Sequence, residues 1–166
     1  MRIALAALLC LLATAADAQS TQAPARDPGY EPLQNLVGTW TNRGSESVLV
    51  ETCEWFDGRL HVVCNTQRTR DDGTVGRSMS ILSYVPGSGY VYTGIGSKGR
   101  YETQHGGSWA DGVLVFIMPS SQDGKTTLTR TRMGPFGGPT VPFVVDTSTD
   151  GSRWTVVGTV DYIRLK

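Results

Sequence analysis

Residues able to orient or react with a small molecule recur on one alternating face of this chain. They are Glu51, Arg77, Tyr90, Tyr92, Tyr101, His105 and Trp109, followed by Phe116 and Met118. A few polar groups among aromatic ones are what a ligand cavity needs, because the apolar surface supplies affinity and the polar atoms fix orientation. Catalysis asks for more: a nucleophile, a base and an orienting group within reach of one another. Ser83, His105 and Glu51 are the nearest approach to such a set, but they belong to three separate segments and no nucleophile turn marks any of them. A hydrolase or isomerase centred on His105 is therefore a minor alternative, and no catalytic residue is assigned. His61, across from Glu54, reads as a solvated cross-strand pair. The Gly134–Gly138 run opens no helix and carries no lysine, so it is a loop rather than a phosphate cradle.

Composition narrows the field. Lysine plus arginine and aspartate plus glutamate number 15 each, so no net field recruits nucleic acid or an anionic membrane. Residues 1–18 read as a signal peptide. Arg2 gives the positive start, Ile3 to Ala16 the apolar run, and Ala16-Asp17-Ala18 the small-x-small cleavage form. Export to the periplasm or beyond is expected. In such a compartment the isolated pair Cys53 and Cys64 is expected to bridge, since a metal site would want further ligands at suitable spacing. Residues 19–30 read as a flexible leader and 31–166 as a single domain.

The elements that must position these residues are strands. After Glu31 to Leu36, which permits one helical turn with Pro32 near its start, the chain is β throughout. Valine-, threonine- and tyrosine-rich runs are punctuated by Asp57-Gly58, Asp72-Gly73, Lys98-Gly99, Asp111-Gly112 and Asp150-Gly151. Asx-Gly pairs between alternating apolar residues mark hairpins, giving about ten up-and-down strands. Residues facing each other across a ladder share a face. Two-residue turns would carry the face of Trp40 through Leu49, Glu51, Cys53, Val62 and Cys64. It would continue through Arg77, Met79, Ile81, Ser83, Tyr90 and Tyr92, and then through Tyr101, His105, Trp109, Leu114 and Phe116. Thr127, Thr129, Thr131, Phe143, Val145, Trp154, Val156, Tyr162 and Arg164 would complete it. One persistent inside predicts a closed antiparallel barrel. A two-residue turn at Asp57-Gly58 would leave Cys53 diagonal to Cys64 at roughly 7–8 Å. A four-residue turn, Asp57 to Leu60, would set them opposite, so a disulfide predicts the longer turn. Val48, Val50, Val113, Val115 and Ile117 fall on the outer face. The last three are a candidate homodimer surface. Short connections and outward charges argue against a membrane-inserted barrel.

Gly38-Thr39-Trp40 after a helical turn resembles the lipocalin and wider calycin group. There, a Gly-x-Trp plugs one barrel end and a basic residue of the last strand covers the tryptophan. Arg164 has the parity for that role, with a cation–π contact as its chemistry. The strand count is more like the fatty-acid-binding proteins and nitrobindins than the eight-stranded lipocalins. Leu36 to Trp40, then Ile81-Leu82-Ser83-Tyr84-Val85-Pro86 and a tyrosine strand, is similar to a large uncharacterised bacterial lipocalin-like family. The resemblance implies an all-β barrel and no particular activity. Through the nitrobindins it also raises haem as a cofactor, with His105 as the iron ligand; the nitrobindin histidine, however, lies near that family's C-terminus. The expectation is an exported, soluble barrel that binds a small, largely apolar molecule inside. The alternatives are a filled, non-catalytic barrel that dimerises, and a haem or hydrolase/isomerase centre at His105.

Overall fold

A computed structural model describes residues 26–43, 47–122 and 125–165. The expected signal peptide and most of the leader lie outside these residues. The described chain opens with a 3-10 helix, Pro28–Leu36, whose first turn is capped by Asp27 accepting from the Gly29 N–H at 2.8 Å. Pro28, Gly29 and Tyr30, expected in the leader, therefore belong to an ordered element. Ten strands follow: β1 (Gly38–Arg43), β2 (Ser47–Trp55), β3 (His61–Arg70), β4 (Val75–Val85), β5 (Gly89–Gly96), β6 (Tyr101–Ala110), β7 (Val113–Gln122), β8 (Lys125–Met133), β9 (Thr140–Ser148) and β10 (Thr155–Arg164). Each pairs antiparallel with the next, and β10 returns to β1 through Trp40 opposite Arg164, closing the barrel. The fold is all-β, an architecture compatible with the calycin-like group. Among the described residues no helix is long and apolar enough to cross a membrane.

The helix and Trp40 stopper one end. Leu33, Leu36 and Trp40 are buried, and the indole N–H of Trp40 donates to the Leu36 carbonyl at 2.8 Å. The core continues through Val62, Leu82, Tyr90 and Val141, with Tyr84, Trp109 and Phe136 packed against it. Tyr90 ties strand to helix by donating its hydroxyl proton to the Gly29 carbonyl at 2.8 Å. Cys53 and Cys64 stand directly opposite with Cα atoms 4.0 Å apart and are bonded. The connection between them is the longer one: Phe56 and His61 pair backbone to backbone, leaving Asp57 to Leu60 as the turn.

Turn length decides which side chains are inside, and here two stretches depart from expectation. The β3–β4 hairpin closes with three residues, Asp71 to Gly73, because Arg70 bonds to Thr74 and Gly73 takes a positive φ of 77°. An odd loop inverts parity relative to a two-residue turn. Ser78, Ser80 and Leu82 therefore share the face of Thr66, Cys64 and Val62, whereas Arg77, Met79, Ile81 and Ser83 fall on the other side. A second three-residue loop, Pro86 to Ser88, restores the face, so Tyr90 and Tyr92 point inward as expected. A third, Ser97 to Gly99, inverts it again, turning Glu102 and Gln104 inward and Tyr101 and His105 outward.

The register then slips by one residue between Gln104 and Gly107, where Gly106 adopts a φ of 69°, a β-bulge that returns Trp109 to the interior. Gly107 is small for a reason: a Cβ there would lie 2.4 Å from the Phe116 ring. A bulge at Val157 likewise puts Val156 opposite Asp146 on the outer face, with Trp154 beyond it under Arg130, correcting their expected inward placement.

Candidate functional site

Above the stoppered end the barrel is hollow. A cavity of about 570 Å³ opens at the opposite end, within the range of about 300–1,000 Å³ that ligand pockets occupy. Its apolar wall is Leu36, Leu82, Leu114, Phe116, Met133 and Phe143. These come from the helix and four strands, each strand contributing residues that period-two alternation turns inward. Midway up the wall stand Glu51, Thr66, Ser80, Tyr92, Gln104 and Tyr162, with Glu102 beside them. Arg68, Arg70, Arg77, Lys98 and Arg100 line the mouth.

The polar belt is electrostatically coupled. Glu51 accepts from the Thr66 hydroxyl at 2.8 Å. Burial pushes its carboxyl above the usual range, against the opposing pull of that hydrogen bond and of the Arg68 charge. Tyr162 is driven far up by burial and then by the Glu51 charge. Tyr92 rises through burial and the charges of Glu102 and Glu51. Both phenols therefore stay neutral and face the cavity as potential hydrogen-bond donors. Glu102 accepts from Arg100 at 2.9 Å and from the Gln104 side-chain amide.

The folded state favours neutral Glu51. The stability that the protonated form contributes is complete below the ordinary glutamate pKa and is lost as pH rises through the raised value. Glu51→Gln is accordingly expected to raise the melting temperature near pH 7 and leave it nearly unchanged at about pH 4. A wild-type protein at least as stable as the variant near neutrality would contradict this.

Of the residues singled out in the sequence, Glu51, Tyr92 and Phe116 line the cavity wall, and Arg77 touches its rim by way of the outer face. Tyr90 and Trp109 are inward but consolidate the stoppered end, their rings 5.9 Å apart and Trp109 stacked on Phe136 at 5.2 Å. Met118 shares the inward register with Thr129 but does not line the cavity. Tyr101 is 70% exposed and His105 is exposed on the outer wall, which removes the interior haem ligand and the Ser83–His105–Glu51 set alike. Ser83 instead meets His61, its hydroxyl 2.7 Å from Nδ1. The closure residues come together: the Arg164 guanidinium lies 4.2 Å from the Trp40 ring and donates to the Val37 and Asn35 carbonyls at 2.6 and 2.7 Å.

Sequence reasoning missed Ser80, Glu102 and Gln104. For Glu102 and Gln104 the adjacent pair Gly106-Gly107 inside a strand was the available signal, since glycine there often marks a bulge; Ser80 turns inward through the three-residue Asp71–Gly73 loop, on another hairpin. Glu51, Cys53 and Cys64 also gather within 4.8 Å, but bonded sulfurs offer no thiolate to a metal. The chain matches no protein-family model and no curated protein.

Proposed function

We propose that this barrel is a non-catalytic binding protein that holds a small, largely apolar molecule in its interior. The observation that carries the reading is the cavity itself, about 570 Å³ with an apolar floor and a belt of neutral or paired polar groups. Such a site desolvates an apolar body while Tyr92, Tyr162 and Gln104 offer orienting hydrogen bonds. The Cys53–Cys64 bond supports residence in an oxidising compartment, periplasmic or extracellular, and hence export by residues 1–18. Gly38, Trp40 and Arg164 support kinship with the lipocalin-like bacterial proteins.

Native mass spectrometry of protein purified from its own source is expected to detect a bound small molecule. Failing that, it should detect stoichiometric uptake from a library of fatty acids, isoprenoids and haem, lost in the cavity-filling variant Thr131→Phe. A clean apo mass with no uptake would overturn the proposal. A second reading, dimerisation through the outward Val113, Val115 and Ile117, draws on the 49% exposure of Ile117. Sedimentation showing only monomer would remove it.

A further inference from the structure

The same loop inversions that turned Glu102 and Gln104 inward left an apolar row on the outside. Met79, Ile95 and Tyr101 lie abreast on β4, β5 and β6, in direct register. They are 36%, 42% and 70% exposed, and Val75, nearer the mouth, is half exposed. The Tyr101 hydroxyl accepts from Thr103 at 3.1 Å, a bond that links the ring to its own strand. Scattered apolar residues on a surface need no explanation, but a contiguous row beside a cavity mouth does.

Charge on the strands around this row leans basic. From β3 to β6 the charged outward register position is Arg77, and not one carboxylate stands among them. Lys98 and Arg100 stand on or beside the β5–β6 loop, next to Tyr101, and Arg70 precedes the β3–β4 loop. Glu102 turns into the cavity and holds Arg100. Asp71 and Asp72 oppose this field from the β3–β4 loop, where the Asp72 carboxylate is engaged by the Thr74 N–H at 2.8 Å. The balanced total of 15 and 15 charges thus conceals a local basic edge.

We propose that this edge docks on an anionic lipid surface, with Ile95, Tyr101 and Met79 entering the headgroup region and Arg77, Lys98 and Arg70 meeting the lipid phosphates. Apolar insertion and electrostatic attraction add in interfacial binding, and an amphipathic tyrosine ring suits the headgroup depth. A second copy of the chain fits less well, because apposing two such edges would set Arg77 and Lys98 against their own kind. Docking here would bring the cavity mouth beside the bilayer. The inference rests on the outer wall and the rim of the mouth, and stands or falls independently of what the cavity holds.

The test is co-sedimentation of the exported form, its N-terminus mapped by mass, with vesicles of two compositions. Phosphatidylcholine containing roughly one third phosphatidylglycerol is expected to bind the protein at least about tenfold better than phosphatidylcholine alone, with the gain lost in high salt. Ile95→Ser combined with Tyr101→Ser, and separately Arg77→Glu combined with Lys98→Glu, should each weaken binding by about tenfold or more while leaving the melting temperature in place. Equal binding to neutral vesicles, or none to anionic ones, overturns the proposal. So does concentration-dependent dimerisation that the Ile95 and Tyr101 changes abolish, which would assign the row to a second copy.

Discussion

Trp40→Ala is expected to cost about 3–5 kcal/mol, the largest single loss in the molecule. The indole is 2% exposed, so its removal leaves a void that the helix and Phe136, whose ring centre lies 6.4 Å away, cannot both fill. Two directional contacts go with it: the bond from Nε1 to the Leu36 carbonyl and the Arg164 guanidinium over the ring. Arg164 would still bond the Val37 and Asn35 carbonyls, but its planar face would lose the aromatic partner. Since domains of this size are stable by only about 5–15 kcal/mol, the variant should lie near the edge of folding. Trp40→Phe keeps a ring and loses the hydrogen bond, and should cost less, about 1–2 kcal/mol. Urea denaturation followed through the remaining tryptophans checks both values. An alanine variant within about 1 kcal/mol of wild type would mean that the helix, not the indole, stoppers the barrel.

Asp146 should rank second, although its strand position points outward. Its carboxylate is covered by two arginines, with Arg130 Nε at 3.0 Å and Arg132 Nε and Nη2 at 2.8 and 3.1 Å. Arg130 in turn lies 4.2 Å from the Trp154 ring, and Asp146 is left 1% exposed. Removing the charge strands two partly buried guanidinium groups, so Asp146→Ala is expected to cost about 3 kcal/mol, toward the lower end for broken buried pairs because the arginines keep some contact with water.

The arginine hydrogen bonds hold the Asp146 carboxyl below its ordinary range. The stability it contributes is present above the unfolded carboxylate pKa and disappears as pH falls through the depressed folded value. The gap between wild type and Asp146→Ala should therefore be constant from neutrality to about pH 5 and shrink in stronger acid, opposite in sense to the Glu51 effect. Equilibrium unfolding across pH measures it. A gap that stays the same down to about pH 2 would mean that packing, not charge, accounts for the loss.

Trp154 illustrates why such a cluster was hidden. Read by strict alternation from Arg164, it belongs inside with Val156, and only the bulge at Val157 moves both to the outer face. Met79 and Arg77 were misplaced by the same mechanism at the Asp71–Gly73 loop, as Tyr101 and His105 were at Ser97–Gly99. Each odd connection inverts everything after it until another odd connection or a bulge inverts it back. Errors on β4 and β6 thus left β5 and β7 intact. The expected site was accordingly half present: Glu51, Tyr92 and Phe116 meet in one cavity, and Tyr101 and His105 do not reach it.

By itself the sequence determined the all-β class and the up-and-down order, and made Cys53 and Cys64 the expected bridge, while the Trp40–Arg164 contact came only as what a resemblance implied. The first three rest on local chemistry: alternation of side chains, glycine where turns need positive φ, and two thiols within one hairpin. Only the tertiary structure decided that β10 meets β1, that the interior stays open, and that Glu102 and Gln104 rather than Tyr101 and His105 face it. An Asp-Gly or Lys-Gly pair announces a turn without announcing whether it holds two residues or three. With a side-chain period of two, that one residue is the whole difference between inside and outside.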